Sequence, residues 1–106
     1  MIVRPRQLEV LEYINEYWLA HEQGPTGREI SAKFGWAQGS EQFHLKILRE
    51  TGMLVRVPGR ERDLRVTEEG TDALDNMLLA RSIGVEIGIE FADSGLIRYR
   101  SEGTDD

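Results

Sequence analysis

Residues 25–57 read PTGREISAKFGWAQGSEQFHLKILRETGMLVRV, and the fold of the chain turns on this stretch. The spacing predicts a short helix over residues 26–34, a turn holding Gly35, Trp36 and Gly39, and a second helix over residues 40–51. Thr26 can cap the first helix with its hydroxyl, and Glu29 stands three residues later, the spacing of a capping box. Ile30 and Phe34 share one face, and Gly35 is placed to leave the helix in a left-handed conformation. For the second helix, Ser40 is the expected cap, Leu45 and Leu48 the inward face, and Gly52 the stop. Met53, Leu54, Val55 and Val57 then read as a strand. Two short helices around a tight turn, the second running into a strand pair, describe a helix-turn-helix with a wing. The second helix of such a unit is the element that can enter a DNA major groove.

Upstream, residues 6–21 read as a helix in which Leu8, Leu11, Ile14 and Trp18 recur every three or four residues as a buried stripe. Pro5 suits its first turn, and no strong capping side chain precedes it. Downstream, Pro58-Gly59 is a turn signal. Around it, residues 53–57 and 63–66 would pair as the wing, with Arg60 and Arg62 at the tip. Thr67 can cap a further helix whose first turn carries Glu68 and Glu69, suited to the positive end of the helix dipole. Leu74, Met77, Leu78 and Arg81 repeat along it at helical spacing, and Gly84 ends it.

In residues 85–91, Val85, Ile87, Ile89 and Phe91 alternate with Glu86, Gly88, Glu90, a strand with one apolar face. Asp93-Ser94-Gly95 is a turn, and Ile97 and Tyr99 alternate with Arg98 and Arg100. A hairpin that puts both apolar sets on one face brings Glu86 and Glu90 towards Arg98 and Arg100. The expected fold class is α+β. A winged helix-turn-helix over residues 1–66 (three helices plus wing hairpin) is followed by a helix and a C-terminal β-hairpin over residues 67–100. The second part extends the same domain and is a candidate for dimerisation, through the apolar face of Leu74, Met77 and Leu78 with residues 85–91. Residues 101–106 form a frayed acidic tail.

A chain of 106 residues with 40% apolar and 30% charged residues is sized and composed as one globular domain. It has no cysteine, so disulfides and thiolate metal sites are excluded. No apolar run approaches the ~20 residues of a membrane span. The opening Met1-Ile2-Val3-Arg4-Pro5 lacks the apolar core of a signal peptide, so the expected location is the cytoplasm. The net charge is −6, unevenly spread: residues 1–66 carry 10 basic and 9 acidic residues, residues 67–106 carry 3 and 10. The winged part is near neutral and the C-terminal part is acidic, a solvated acidic surface in its simplest reading.

No catalytic set stands out. His21 and His44 are the only histidines, and neither has neighbours at metal-ligand spacing. There is no glycine-rich phosphate loop. The expectation is therefore no enzyme, no cofactor and no metal.

Several short matches carry a family resemblance. They are Arg6-Gln7 with Glu9-Val10, Pro25-Thr26 with Glu29-Ile30, Phe34-Gly35, and His44-Leu45-Lys46. Over residues 5–66 the chain resembles the N-terminal DNA-binding domain of LexA-type repressors. Residues 66–70, leading to Leu74, resemble the exit from the wing in MarR-like regulators, where the following helix often pairs subunits. Two departures are visible. The turn before the second helix is one residue shorter than the LexA pattern, and Glu41 falls where these helices bury a small or branched apolar residue. Full-length LexA-type repressors add a self-cleaving peptidase domain with a Ser–Lys dyad. The present sequence has no room for one, so self-cleavage is not expected.

The resemblance implies a regulator that reads duplex DNA as a homodimer. Gln38, Ser40, Gln42 and Lys46 are the candidates for bases or phosphates. Arg28 and Lys33 would hold the backbone, and Arg60 and Arg62 would touch flanking phosphates or the minor groove. At about 100° per residue, Phe43 and Ile47 fall almost opposite Leu45 and Leu48. Phe43 is thus a further DNA candidate, through a thymine methyl. Otherwise Phe43 and Ile47 pack on the C-terminal segment or on another chain. The alternative is a protein-interaction module on the same fold, which binds a regulator or polymerase subunit. A small hydrolase is a third class, for which no nucleophile–base pair can be named.

Overall fold

The computed structural model describes residues 2–59, 62, 64–91 and 97–102. The elements run β1 (Ile2–Val3), α1 (Pro5–His21), α2 (Gly27–Phe34), α3 (Glu41–Glu50), β2 (Leu54–Arg56), β3 (Leu64–Val66), α4 (Glu68–Ser82), β4 (Glu86–Phe91) and β5 (Ile97–Glu102). This is the expected α+β winged helix-turn-helix, followed by a helix and a hairpin. In the wing, β2 pairs antiparallel with β3, Leu54 opposite Val66 and Arg56 opposite Leu64. The second sheet has the order β1-β4-β5.

One buried cluster runs through both parts of the chain. Leu8, Leu11 and Ile14 of α1 meet Ile30, Leu45 and Leu48 on one side. Ala73, Leu74, Met77, Ile87, Ile89 and Val3 complete the cluster. The helix-turn-helix is therefore held from behind by α1, and α1 is itself covered by α4 and β4.

The local signals of α2 and α4 are met as read. Thr26 Oγ1 accepts from the Glu29 N–H at 3.1 Å, and Glu29 Oε1 accepts from the Thr26 N–H at 2.9 Å. Gly35 then leaves α2 at φ 72°, a conformation that costs residues with a Cβ. Thr67 caps α4 by accepting from the Gly70 N–H at 3.0 Å. The hairpin has the expected parity: Ile87 and Ile89 are buried, Glu90 stands opposite Arg98, and Arg100 reaches Glu90 at 3.9 Å.

Four expectations are corrected. Residues 2 and 3, read only as part of a leaderless start, form a strand in which Val3 pairs with Ile89 and is fully buried. Residues 101 and 102, expected in the frayed tail, continue β5, with Ser101 opposite Ile87 and Glu102 opposite Glu86. Leu74 and Met77, expected on an open pairing face with Leu78, are buried with Gly70 and Ala73 in the seam of α4; only Leu78, about 100° from Met77, is exposed, at 52%. Ile47 is half-buried and packs on the core. Helix α3 is covered by α1, α2 and β2, so its buried arc is wider than Leu45 and Leu48 alone mark.

Candidate nucleic-acid interface

The outward surface of α3 begins in the turn before it. Gln38 and Ser40 are exposed there, and Gln42, Phe43 and Lys46 are exposed on the helix itself. Phe43 is the most exposed apolar side chain of the unit, at 64%. Arg28 is exposed in the first turn of α2. Lys33, also exposed, leans over the Tyr13 ring at 6.0 Å and lines a cleft with Glu9, Glu12 and Glu16.

Ser40 does not cap α3. Its backbone is already helical, at φ −63° and ψ −24°, and its hydroxyl makes no capping bond. The work passes to Glu41, which is 5% exposed. Its Oε1 accepts from the Ser31 hydroxyl at 2.6 Å and from the Gly39 N–H at 3.0 Å. Its Oε2 accepts from Gln42 Nε2 at 2.9 Å. Gly27 makes room for it, since a Cβ there would stand 2.5 Å from Oε2. Burial opposes the carboxylate's charge, but the bonds from Ser31, Gln42 and the backbone outweigh it and hold the pKa below its ordinary value. The acid at position 41 is thus buried on polar partners, and it closes the turn before α3 through Gly39.

Behind α3 lies an aromatic column. Trp36 stacks between Phe34 (4.8 Å) and His44 (4.5 Å), and Phe43 meets the edge of His44 at 5.2 Å. His44 Nδ1 lies 2.7 Å from Gln7 Nε2. Because Gln7 spends its oxygen on Arg4, its nitrogen faces the imidazole and donates, leaving the ring proton on Nε2. Burial, with a smaller push from Arg6, lowers the His44 pKa. A neutral ring therefore sits on α3 itself, between Trp36 and Phe43.

The two wing arginines fare differently. Arg60 lies outside the described residues. Arg62 turns inward: its Nη1 meets Glu29 Oε1 at 2.6 Å and its Nη2 meets Glu29 Oε2 at 3.1 Å. It also donates to the Tyr17 hydroxyl at 2.9 Å. The bond from Arg62, followed by that from the Thr26 backbone, pulls the Glu29 pKa down to about 2. In this arrangement Arg62 staples the wing to α1 and α2, and a phosphate would have to compete with Glu29 for it. Sequence reading missed Arg65, whose guanidinium lies 4.4 Å from the centre of the Trp18 ring, on the exposed side of β3. It also missed the part played by Glu41; the only available signal was that an acid stood at a core position.

A helix-turn-helix with an exposed polar and aromatic row on its second helix, flanked by a two-stranded wing, defines a winged DNA-binding domain. The particular family follows from comparison: residues 3–63 match the model of the LexA DNA binding domain, and the chain belongs to that family. It is similar to LexA repressors from Dechloromonas aromatica (37% identical over 70 residues, 65% of this chain and 35% of that protein) and Idiomarina loihiensis (36% over 76 residues, 71% and 37%). A LexA repressor from Pediococcus pentosaceus is 38% identical over 73 residues, covering 68% and 35%. The chain spans about a third of the length of these relatives. Among the described residues, no helix is long and apolar enough to cross a membrane, and no group of three acidic or histidine residues is placed to hold a metal ion.

Proposed function

We propose that this protein is a cytoplasmic transcriptional regulator that reads duplex DNA through α3, as a homodimer. The observation that carries the reading is the row Gln42, Phe43 and Lys46, exposed on α3 while Leu45 and Leu48 fix the helix from behind. Glutamine can meet an adenine edge with two bonds, and an apolar side chain can meet a thymine methyl. Gln38, Ser40 and Arg28 lie beside this row and supply hydrogen bonds or charge to bases or phosphates. Lys33 is a further candidate for the phosphate backbone, Arg60 remains one from its sequence position alone, and Arg62 joins them only if it leaves Glu29. The relatives are called repressors, which supports repression as the output.

The dimer rests on the C-terminal part. The expected face is mostly buried, and the reading passes to Leu78, Leu79, Ile83 and Tyr99, each exposed by 43% or more; exposed apolar surface is the kind that marks association. A two-fold dimer presents two α3 helices to a pseudo-palindromic site. Light scattering at micromolar concentration should report a dimer; a monomer removes that part of the reading.

The second reading, a protein-interaction module, is favoured by the exposure of Phe43. Binding to pooled genomic duplex fragments, with the bound fraction sequenced, separates the two. Enrichment of a defined site supports the regulator. A folded protein that enriches nothing at low salt overturns it and promotes the interaction module. Phe43→Ala then sharpens the result: weaker DNA binding with the assembly unchanged places Phe43 on DNA, and the reverse pattern places it on protein.

A further inference from the structure

Gln42 is not free to turn. An amide side chain offers one oxygen acceptor and two N–H donors. One N–H of Gln42 is spent on Glu41 Oε2 at 2.9 Å. The carboxylate cannot move away to release it. Its other oxygen is fixed by Ser31 and by the Gly39 N–H, and its back is against Gly27. Nor can the amide flip, because an ionised carboxylate only accepts and would then face the amide oxygen. Gln42 therefore presents a fixed pattern outward: one acceptor and one remaining donor.

The purines distinguish themselves by this count. Adenine shows an acceptor at N7 and a donor at N6 in the major groove, whereas guanine shows two acceptors, N7 and O6. One acceptor with one donor matches adenine. Guanine asks for two donors, and the second has been removed.

We propose that Glu41 is a specificity-positioning residue. It holds the Gln42 amide in the orientation that accepts adenine and rejects guanine at the base facing Gln42. The proposal rests on α3 reading DNA. Glu41 itself touches no base. A buried acid at this position does two things at once: it closes the turn through Gly39 and fixes the chemical face of its neighbour.

The test starts from the site enriched by the full chain and measures competition among duplexes carrying each of the four base pairs at every position. The wild-type protein should prefer adenine over guanine at one position by roughly tenfold or more, the discrimination expected of a two-bond contact. In Glu41→Gln, a side-chain N–H can face Gln42, so the Gln42 amide can turn its oxygen inward and offer both donors outward. The adenine preference at that one position should fall at least fivefold or pass to guanine, with the other positions unchanged. In a Gln42→Ala background the same change should move no base preference. A uniform loss at all positions, or an unchanged preference in a folded Glu41→Gln protein, overturns the proposal. If Glu41→Gln does not fold, the wild-type protein still decides. One of the two Gln42 side-chain amide protons should exchange with solvent markedly more slowly than the other, and equal exchange rejects the arrangement. Failure of the wild-type chain to bind any duplex is a different result, which removes the DNA reading itself.

Discussion

Helices α2 and α3 lie next to one another and begin in different ways. The start of α2 is a local device: Thr26 and Glu29, three residues apart, exchange two hydrogen bonds within one turn of chain. The start of α3 is a tertiary device. Its expected cap, Ser40, makes no capping bond, and its turn is held by Glu41 reaching across to Ser31 on α2. The first arrangement needs only residues within one turn of chain to form its two bonds. The second exists only when α2 and α3 are already packed. The element that faces outward for recognition is thus oriented by its neighbour, and its base preference and its stability share one side chain.

The comparison can be broken most severely from below. Leu48 is fully buried behind α3, and Leu48→Ala should cost ~2–5 kcal/mol in denaturant unfolding, as buried leucine truncations do. A near-neutral effect would mean that α3 is not seated as described. Next comes the tertiary start. Ser31→Ala removes the shortest bond to the Glu41 carboxylate with the loss of a single oxygen atom, and should cost ~1–3 kcal/mol, the penalty of an under-satisfied buried polar group. The local start should be less sensitive. Thr26→Ala should cost ~1 kcal/mol, as cap removals do, with Glu29 still held by Arg62. If Thr26→Ala proves more damaging than Ser31→Ala, the ranking of the two devices is reversed.

The smallest effect at neutral pH is electrostatic. Glu29 has its pKa lowered from 4.5 to about 2, first by Arg62 and then by the Thr26 backbone. A depressed acid contributes stability that is full above its unfolded value and lost as the pH falls through its folded value. The staple should therefore hold above about pH 4.5 and fade towards pH 2. Arg62→Met should flatten the melting temperature across that window and leave it little changed at its acid end. An unchanged acid limb in Arg62→Met would show that the Arg62–Glu29 pair does not form in solution.

What was legible in the sequence follows the same division. The caps at Thr26 and Thr67, the exits at Gly35 and Gly52 and the buried stripe of α1 are patterns over three or four residues, and each is written in the residues that form it. The strand β1 spans two residues, too short for any period to register, and it exists because β4 offers an edge to Val3. The buried seam of α4 was not legible because Gly70 and Ala73 help to set it, and small residues leave no apolar signal. Within the candidate interface, Gln42, Phe43 and Lys46 were legible from helix phase. The role of Glu41 was not, because it depends on Ser31 and Gly27 standing ten and fourteen residues earlier on another helix. Arg62 was read as a tip charge because its partner, Glu29, is thirty-three residues away.

The central claim, that α3 is the surface that meets DNA, is tested most directly by backbone amide NMR of the full chain titrated with its enriched duplex. The account predicts that the largest shifts fall at Gln38, Ser40, Gln42, Phe43 and Lys46, with smaller ones at Arg28 and on the wing strands. Shifts confined to Leu79, Ile83 and Tyr99, with α3 unmoved at saturating duplex, would contradict it.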